Sequence, residues 1–207
     1  MTFIEHVTIE AADVEAAARF HDALGLGERV RLRASEEPTS GFRGFTLSLT
    51  ASQPGNVRAL FDAGIAAGGT VIKPVAKSLW GVGGTLRAPD GTIWKIATSG
   101  RKDSAPAAKE FDSVVLLLGV DDVAATKRYY VDCGLTVDKS FGSKYVQFAG
   151  GQGAVTLGLY KRKALAKDAG VPAEGSGSHR ITVGSAAGPF TDPDGFLWED
   201  TARTPAP

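Results

Sequence analysis

Hydrophobic positions recur along the chain with two periods. Over residues 3–9, Phe3, Val7 and Ile9 fall on one side and Ile4, His6 and Thr8 on the other, the period-two signature of a strand. Asp13 then stands where a helix cap belongs, Val14, Ala17, Ala18, Phe20 and Leu24 cluster toward one side, and Gly25 marks the stop. The same reading predicts strands over 28–33, 43–50, 70–73, 83–88 and 92–97, the last two joined by a Pro-Asp-Gly turn. A helix is expected over 56–67, carried by Val57, Leu60, Phe61 and Ile65 and stopped by Gly68 and Gly69. Further on come a strand over 113–119, a helix over about 122–132 and a hairpin 144–149/153–160 turning on Gly150 and Gly151. A short helical insert over 161–170 and strands near 179–183 and 196–200 complete the pattern. The recurring unit is a strand, a helix and more strands, so the class is α+β with mixed, mostly antiparallel sheets.

The pattern occurs twice. HVTIEAADV, running into Arg19-Phe20-His21, aligns without a gap on the segment from Val115 to Val123 that runs into Arg128-Tyr129-Tyr130, 109 positions later. APDGTIWK, from Ala88, aligns on DPDGFLWE, from Asp192, 104 positions later, and Ser40-Gly-Phe-Arg43 echoes Ser176-Gly-Ser-His179 at a spacing of 136. The changing spacing means that the copies are trimmed in different places. The polar, Pro- and Ala-containing stretch GRKDSAPAAK reads as a linker, dividing the chain into halves over 1–99 and 111–207 around residues 100–110.

HVTIEAADVEAAARFHDALGLG, SGFRGFTLSL, LWGVGGTLRAPDGTIWK, VDDVAATKRYYVDCGL, KYVQFAGGQGAVTLGLY and FTDPDGFLWED, in this order, resemble the vicinal-oxygen-chelate superfamily of glyoxalases, bleomycin-resistance proteins and extradiol dioxygenases. The resemblance implies tandem βαβββ modules that curl into cup-shaped half-barrels, with ligands on inward-facing residues of each module's first and last strands. Four modules can be counted, at about 1–34, 42–98, 111–160 and 178–202, the first and the last of them trimmed. At the first-strand ligand position they carry His6, Arg43, Val115 (or Ser113, two residues earlier) and His179, and at the last-strand position the second offers Lys95 and the fourth Glu199. Pairing the first module with the fourth collects His6, His179 and Glu199, a two-histidine, one-carboxylate set suited to Fe, Mn, Ni or Zn with positions left open. Pairing the second with the third collects Arg43 and Lys95, which hold an anion rather than a cation. Two functions therefore stay open. One is a metal-assisted lyase, isomerase or dioxygenase using His6, His179 and Glu199. The other is a metal-free protein that sequesters a drug or natural product near Arg43, Trp80, Lys95 and Tyr145.

Composition narrows the partners. Of 207 residues, 23 are Lys or Arg and 23 are Asp or Glu, so no global field recruits nucleic acid or an anionic membrane. No apolar run is long enough to span a bilayer, and the single cysteine, Cys133, fits a reducing, cytoplasmic setting and reads as a small buried hydrophobe. The expected partner is a small organic ligand, with the chain a monomer (a pseudo-dimer) or a homodimer. Trp94 and Trp198 alternate with Lys95 and Glu199 and are expected in the core, and His21 as a half-buried packing residue. The last module lacks a helix of its own, so a sheet edge or apolar face is expected to be left for a second chain to cover.

Overall fold

A computed structural model of the chain describes residues 2–151 and 153–201. The first module is β1 (Ile4–Ala11), α1 (Val14–Leu24) and β2 (Val30–Ala34). A short strand β3 (Thr39–Gly41) leads into the second, which holds β4 (Phe45–Thr50), α2 (Pro54–Ala66), β5 (Thr70–Ser78), β6 (Gly81–Arg87) and β7 (Ile93–Thr98). The third comprises β8 (Ser113–Val120), α3 (Val123–Asp132), β9 (Val137–Ser140), β10 (Tyr145–Phe148) and β11 (Thr156–Lys161). The insert α4 (Arg162–Ala169) and β12 (Gly175–Gly177) precede the last module, β13 (Ile181–Ser185), β14 (Phe190–Thr191) and β15 (Leu197–Glu199).

Two large sheets result. The first and last modules share a five-stranded sheet, β14-β15-β13-β1-β2, joined by the antiparallel pair β1/β13. The second and third share an eight-stranded sheet, β5-β6-β7-β4-β8-β11-β10-β9, joined by the antiparallel pair β4/β8. β3 and β12 pair with each other, Ser40 opposite Ser176, so the two copies of the Ser-Gly motif meet across the repeat with their hydroxyls 2.9 Å apart. The edge strand β5 carries Lys73, Pro74 and Lys77, which discourage pairing with another chain.

Local signals are met where they are strong. Asp13 caps α1 by accepting from the Ala16 amide, and Gly25 closes it in the left-handed region at φ 67°. Asp122 caps α3 by accepting from the amides of Ala124 and Ala125, and these bonds hold its carboxyl below the usual range. The linker is pinned rather than loose: Gln53 Nε2 donates to the carbonyls of Ala105 and Pro106, and its Oε1 accepts from the amides of Ser104 and Ala105.

One core unites the inner faces of both sheets with α1, α2 and α3, including Trp94 and Trp198 as expected. The helices cross between modules. α1 lays Phe20 and His21 against Trp94 of the second module, and α3 lays Tyr130 against Trp198 of the fourth, ring centroids 4.9 Å apart. α3 covers the core side of the last module as well as its own, leaving Trp198 only 3% exposed, while Leu197 on the other side is half exposed and β14 remains an edge strand. The same docking carries Tyr130 Oη to Asp192, Thr126 Oγ1 to Asp194 Oδ2 (2.8 Å) and the Asp121 amide to Asp194 Oδ1 (2.8 Å).

A second, smaller cluster lies on the opposite face of the eight-stranded sheet. There α4 seats Leu165, Ala166 and Ala169 on Phe42 and Ile93, with Leu117 and Tyr160 alongside. The insert therefore fills one end of that sheet's open side. Lys73 Nζ holds it by donating to the carbonyls of Lys167 and Asp168 at its C-terminus.

Candidate functional site

Each sheet turns one face to the core and leaves the other open, and strand register fixes which side chains line the open faces. On the five-stranded sheet, Thr8 lies opposite Thr182 and Arg31, Glu10 opposite Arg33, His6 opposite Gly184, and Gly184 opposite Glu199. Directly opposed residues share a face. His6, Thr8, Glu10, Arg31, Arg33, Thr182 and Glu199 therefore form one polar array. His6 lies flat over Gly184, where an added Cβ would come within 2.7 Å of the ring. His6 Nε2 is 3.2 Å from Glu199 Oε1 and 3.3 Å from Arg31 Nη1. Arg33 Nη2 donates to Glu10 Oε1 and to Thr182 Oγ1, each at 2.7 Å, while its Nη1 lies 3.8 Å from Glu199 Oε2.

The expected three-ligand set does not assemble. His6 and Glu199 come together, but His179 stands before β13, its Nδ1 facing the Arg43 carbonyl and its Nε2 the Asp194 carbonyl at 3.1 Å, with its ring stacked on Phe196. Both of its nitrogens are thus engaged by backbone oxygens. The cause is a register offset of one residue. The pairs Val7–Val183 and Ile9–Ile181 flank Thr8–Thr182, so His6-Val7-Thr8-Ile9 corresponds to Arg180-Ile181-Thr182-Val183, and the counterpart of His6 is Arg180. Arg180 in turn takes φ 52° and donates to the Glu37 carbonyl. Among the described residues no three His, Cys, Asp or Glu side chains are grouped to hold a metal ion. A divalent ion does not fit the array as it stands: the would-be donor Nε2 already faces a guanidinium, and a second guanidinium bridges toward Glu199.

The eight-stranded sheet presents a different open face. Ser48 lies opposite Lys95 and Val115, Thr50 opposite Ala97 and Ser113, Lys95 opposite Thr85, and Ala97 opposite Gly83. Thr156 and Gly158 continue the face on β11, and Tyr145 lies opposite Tyr160. The floor thus mixes hydroxyl-bearing residues with Val115 and Leu117, and the Thr50 and Ser113 hydroxyls bond to each other where β4 ends beside the start of β8. Lys95 Nζ meets Asp168 Oδ2 of α4 at 2.7 Å. Tyr145 lies over Gly158, 4.9 Å from the Tyr160 ring, and donates to Gln147 Oε1 at 2.9 Å. Burial, with Tyr160 and Asp138 nearby, pushes its hydroxyl up to about 12, so it is a neutral donor at any physiological pH.

Lys95 and Tyr145 therefore share this face, while two other expected ligand residues do not. Arg43 precedes β4, and Gly44 at φ 86° turns the chain there. Its guanidinium points at the Pro-Asp-Gly turn, with Nη2 donating to the Asp90 carbonyl and Nη1 4.0 Å from Asp90 Oδ1. Trp80 sits at the tip of the β5/β6 hairpin, 88% exposed. Sequence reasoning missed Arg31 and Arg33. The alternation in Val30-Arg31-Leu32-Arg33 could have placed both on one face, and the parallel pairing of β2 with β1 makes that the face of His6.

This architecture is the fold of glyoxalase I. The chain is similar to a single-substitution variant of glyoxalase I from Zea mays, with a TM-score of 0.64 at 15% identity over 97% of this chain and 92% of that one. It is also similar to glyoxalase I from Zea mays itself, with a TM-score of 0.58 at 14% identity over 89% and 75% of the two chains. No protein-family model matches the sequence. No curated protein matches it either. Among the described residues no helix is long and apolar enough to cross a membrane.

Proposed function

We propose that this protein binds a small organic molecule, without the help of a metal ion, on the open face of the eight-stranded sheet. One observation carries the reading: a floor of Ser48, Thr50, Ala97, Ser113 and Thr156 lies beside α4, with Lys95 and the Tyr145–Tyr160 pair at its sides. Small residues leave room, hydroxyls supply orienting bonds, tyrosine rings stack on flat groups, and the Lys95 ammonium, now held by Asp168 at 2.7 Å, meets an anion by exchanging that partner. An aromatic anion matches that set. The metal-assisted alternative is disfavoured by the guanidinium beside His6 Nε2. Because both sheets close within one chain, the reading needs no second copy.

The test uses 8-anilinonaphthalene-1-sulfonate as probe, titrated into chelator-treated protein and followed by fluorescence. The expected result is saturable binding of one equivalent, weakened at least tenfold by Ser113→Trp, which fills the floor from a half-buried position (about 1.4 kcal/mol). Absence of saturable binding, or equal binding by Ser113→Trp, would contradict the proposal.

A further inference from the structure

The five-stranded sheet shows why its ligand-like residues sit without the third member of a metal set. β2 is the edge strand that remains of the trimmed first module, and its alternation aims Arg31 and Arg33 across the face that carries His6, Thr8 and Glu10. Arg33 reaches two carboxylates from opposite ends of the chain, Glu10 at 2.7 Å and Glu199 at 3.8 Å, and also the Thr182 hydroxyl. Arg31 lies 3.3 Å from His6 Nε2, the same atom that lies 3.2 Å from Glu199. A guanidinium stays charged at every working pH and only donates, so Arg31 beside His6 Nε2 and Arg33 between Glu10 and Glu199 occupy the directions from which another cation would approach.

We infer that Arg31 and Arg33 are the resident cations of this face, standing where His6 and Glu199, 3.2 Å apart, would otherwise offer an imidazole nitrogen and a carboxylate to a divalent ion, and that removing them lets that pair bind one. Both arginines are engaged by carboxylates as the sheet stands: Arg33 by Glu10 and Glu199, and Arg31 by Glu28 at 3.6 Å. Without the arginines, the His6 imidazole nitrogen and the Glu199 carboxylate, 3.2 Å apart, and the Thr8 hydroxyl, 3.4 Å from Glu199 Oε1, share one face with no cation beside them. Imidazole and carboxylate oxygens are the donors that Ni(II) and Zn(II) accept. His6 is held in place by Gly184 beneath it, so the nitrogen does not need the arginine to keep its aim. The array also ties the edge strand β2 to β13 and β15, which makes it an ionic clamp across the sheet.

Isothermal titration of Ni(II) and Zn(II) in chelator-free buffer tests this on the full chain. The wild type is expected to take up neither ion. Arg31→Met/Arg33→Met, which keeps the apolar stems, is expected to bind about one equivalent at least tenfold more tightly than wild type, and His6→Ala added to it to abolish that gain. Wild-type binding as tight as that of the double variant, or no gain in a double variant that melts cooperatively, would overturn the inference. Should the double variant not fold, Arg31→Met alone decides: it takes the guanidinium away from His6 Nε2 and leaves Arg33 with Glu10 and Thr182. A gain in Ni(II) affinity that depends on Glu199 supports the inference, and no gain overturns it.

Discussion

The two sheets contain related strands and turns, yet they treat their polar groups in opposite ways. The five-stranded sheet satisfies most of its own, Trp198 Nε1 apart. On its open face the arginines answer the carboxylates, and at its helix joint Tyr130, Thr126 and the Asp121 amide answer Asp192 and Asp194. The eight-stranded sheet leaves groups unanswered. At its joint, His21 stands at the position of Tyr130, but Ala88 replaces Asp192 and Ala17 replaces Thr126. Both nitrogens of His21, Asp90 Oδ2 and Trp94 Nε1 are consequently buried without a hydrogen-bond partner. Its open face pairs polar groups only among near neighbours, Thr50 with Ser113, Tyr145 with Gln147 and Lys95 with Asp168, without a network that spans the sheet. The difference teaches that related strands and turns can carry a joint whose polar groups are paired on one side and one whose polar groups are buried without partners on the other.

Breaking the satisfied joint gives the largest expected effect. Tyr130→Phe leaves a carboxylate oxygen of Asp192 buried and unpaired, and thermal or urea unfolding should show a loss of about 2 kcal/mol. Next is pH. Burial lowers the His21 pKa, with Asp90 only partly offsetting it, so below the ordinary value of 6.5 the unfolded chain takes up a proton that the folded chain resists. Stability should therefore fall as pH drops through that range, by at most about 1.4 kcal/mol per pH unit, and level off below the folded value. Asp192 works in the opposite sense in more acidic solution, because burial raises its carboxyl and the folded chain then holds the extra proton. The His21 slope is accordingly read above about pH 5.5. The smallest expected effect sharpens the comparison most: His21→Phe should change stability by less than about 1 kcal/mol, because no bond is lost, and should remove that slope. A loss as large as that of Tyr130→Phe would mean that the two joints are equivalent after all.

Much of the fold was legible in the sequence, because gapless apolar periodicity through HVTIEAADV and its copy, capped by Asp13 and Asp122, is dictated locally. The Pro-Asp-Gly turns and the core tryptophans followed for the same reason. The straps β3 and β12 were not legible as strands, since three residues rich in Gly and Ser carry no periodicity and pair only because the repeat brings them together. The position of α4 was equally hidden: its apolar residues predict a helix but not that it fills the open side of a sheet. The site was read in part. His6 and Glu199 meet, and Lys95 and Tyr145 share a face, as strand alternation allows. His179 failed because aligning it with Arg43 is right for the strap but one residue out of step with β1, and a side chain's facing on a strand reverses with each residue.

The claim that one sheet receives ligand while the other is closed by its own arginines can be tested in one measurement. Two-dimensional amide NMR of the nitrogen-15-labelled, chelator-treated protein, recorded as 8-anilinonaphthalene-1-sulfonate is added, reports both faces at once. The account predicts saturable shifts centred on Ser48, Thr50, Lys95, Ser113 and Thr156, with Thr8, Arg31, Arg33 and Thr182 unmoved. Shifts centred on the second group, with the first unmoved, would contradict it.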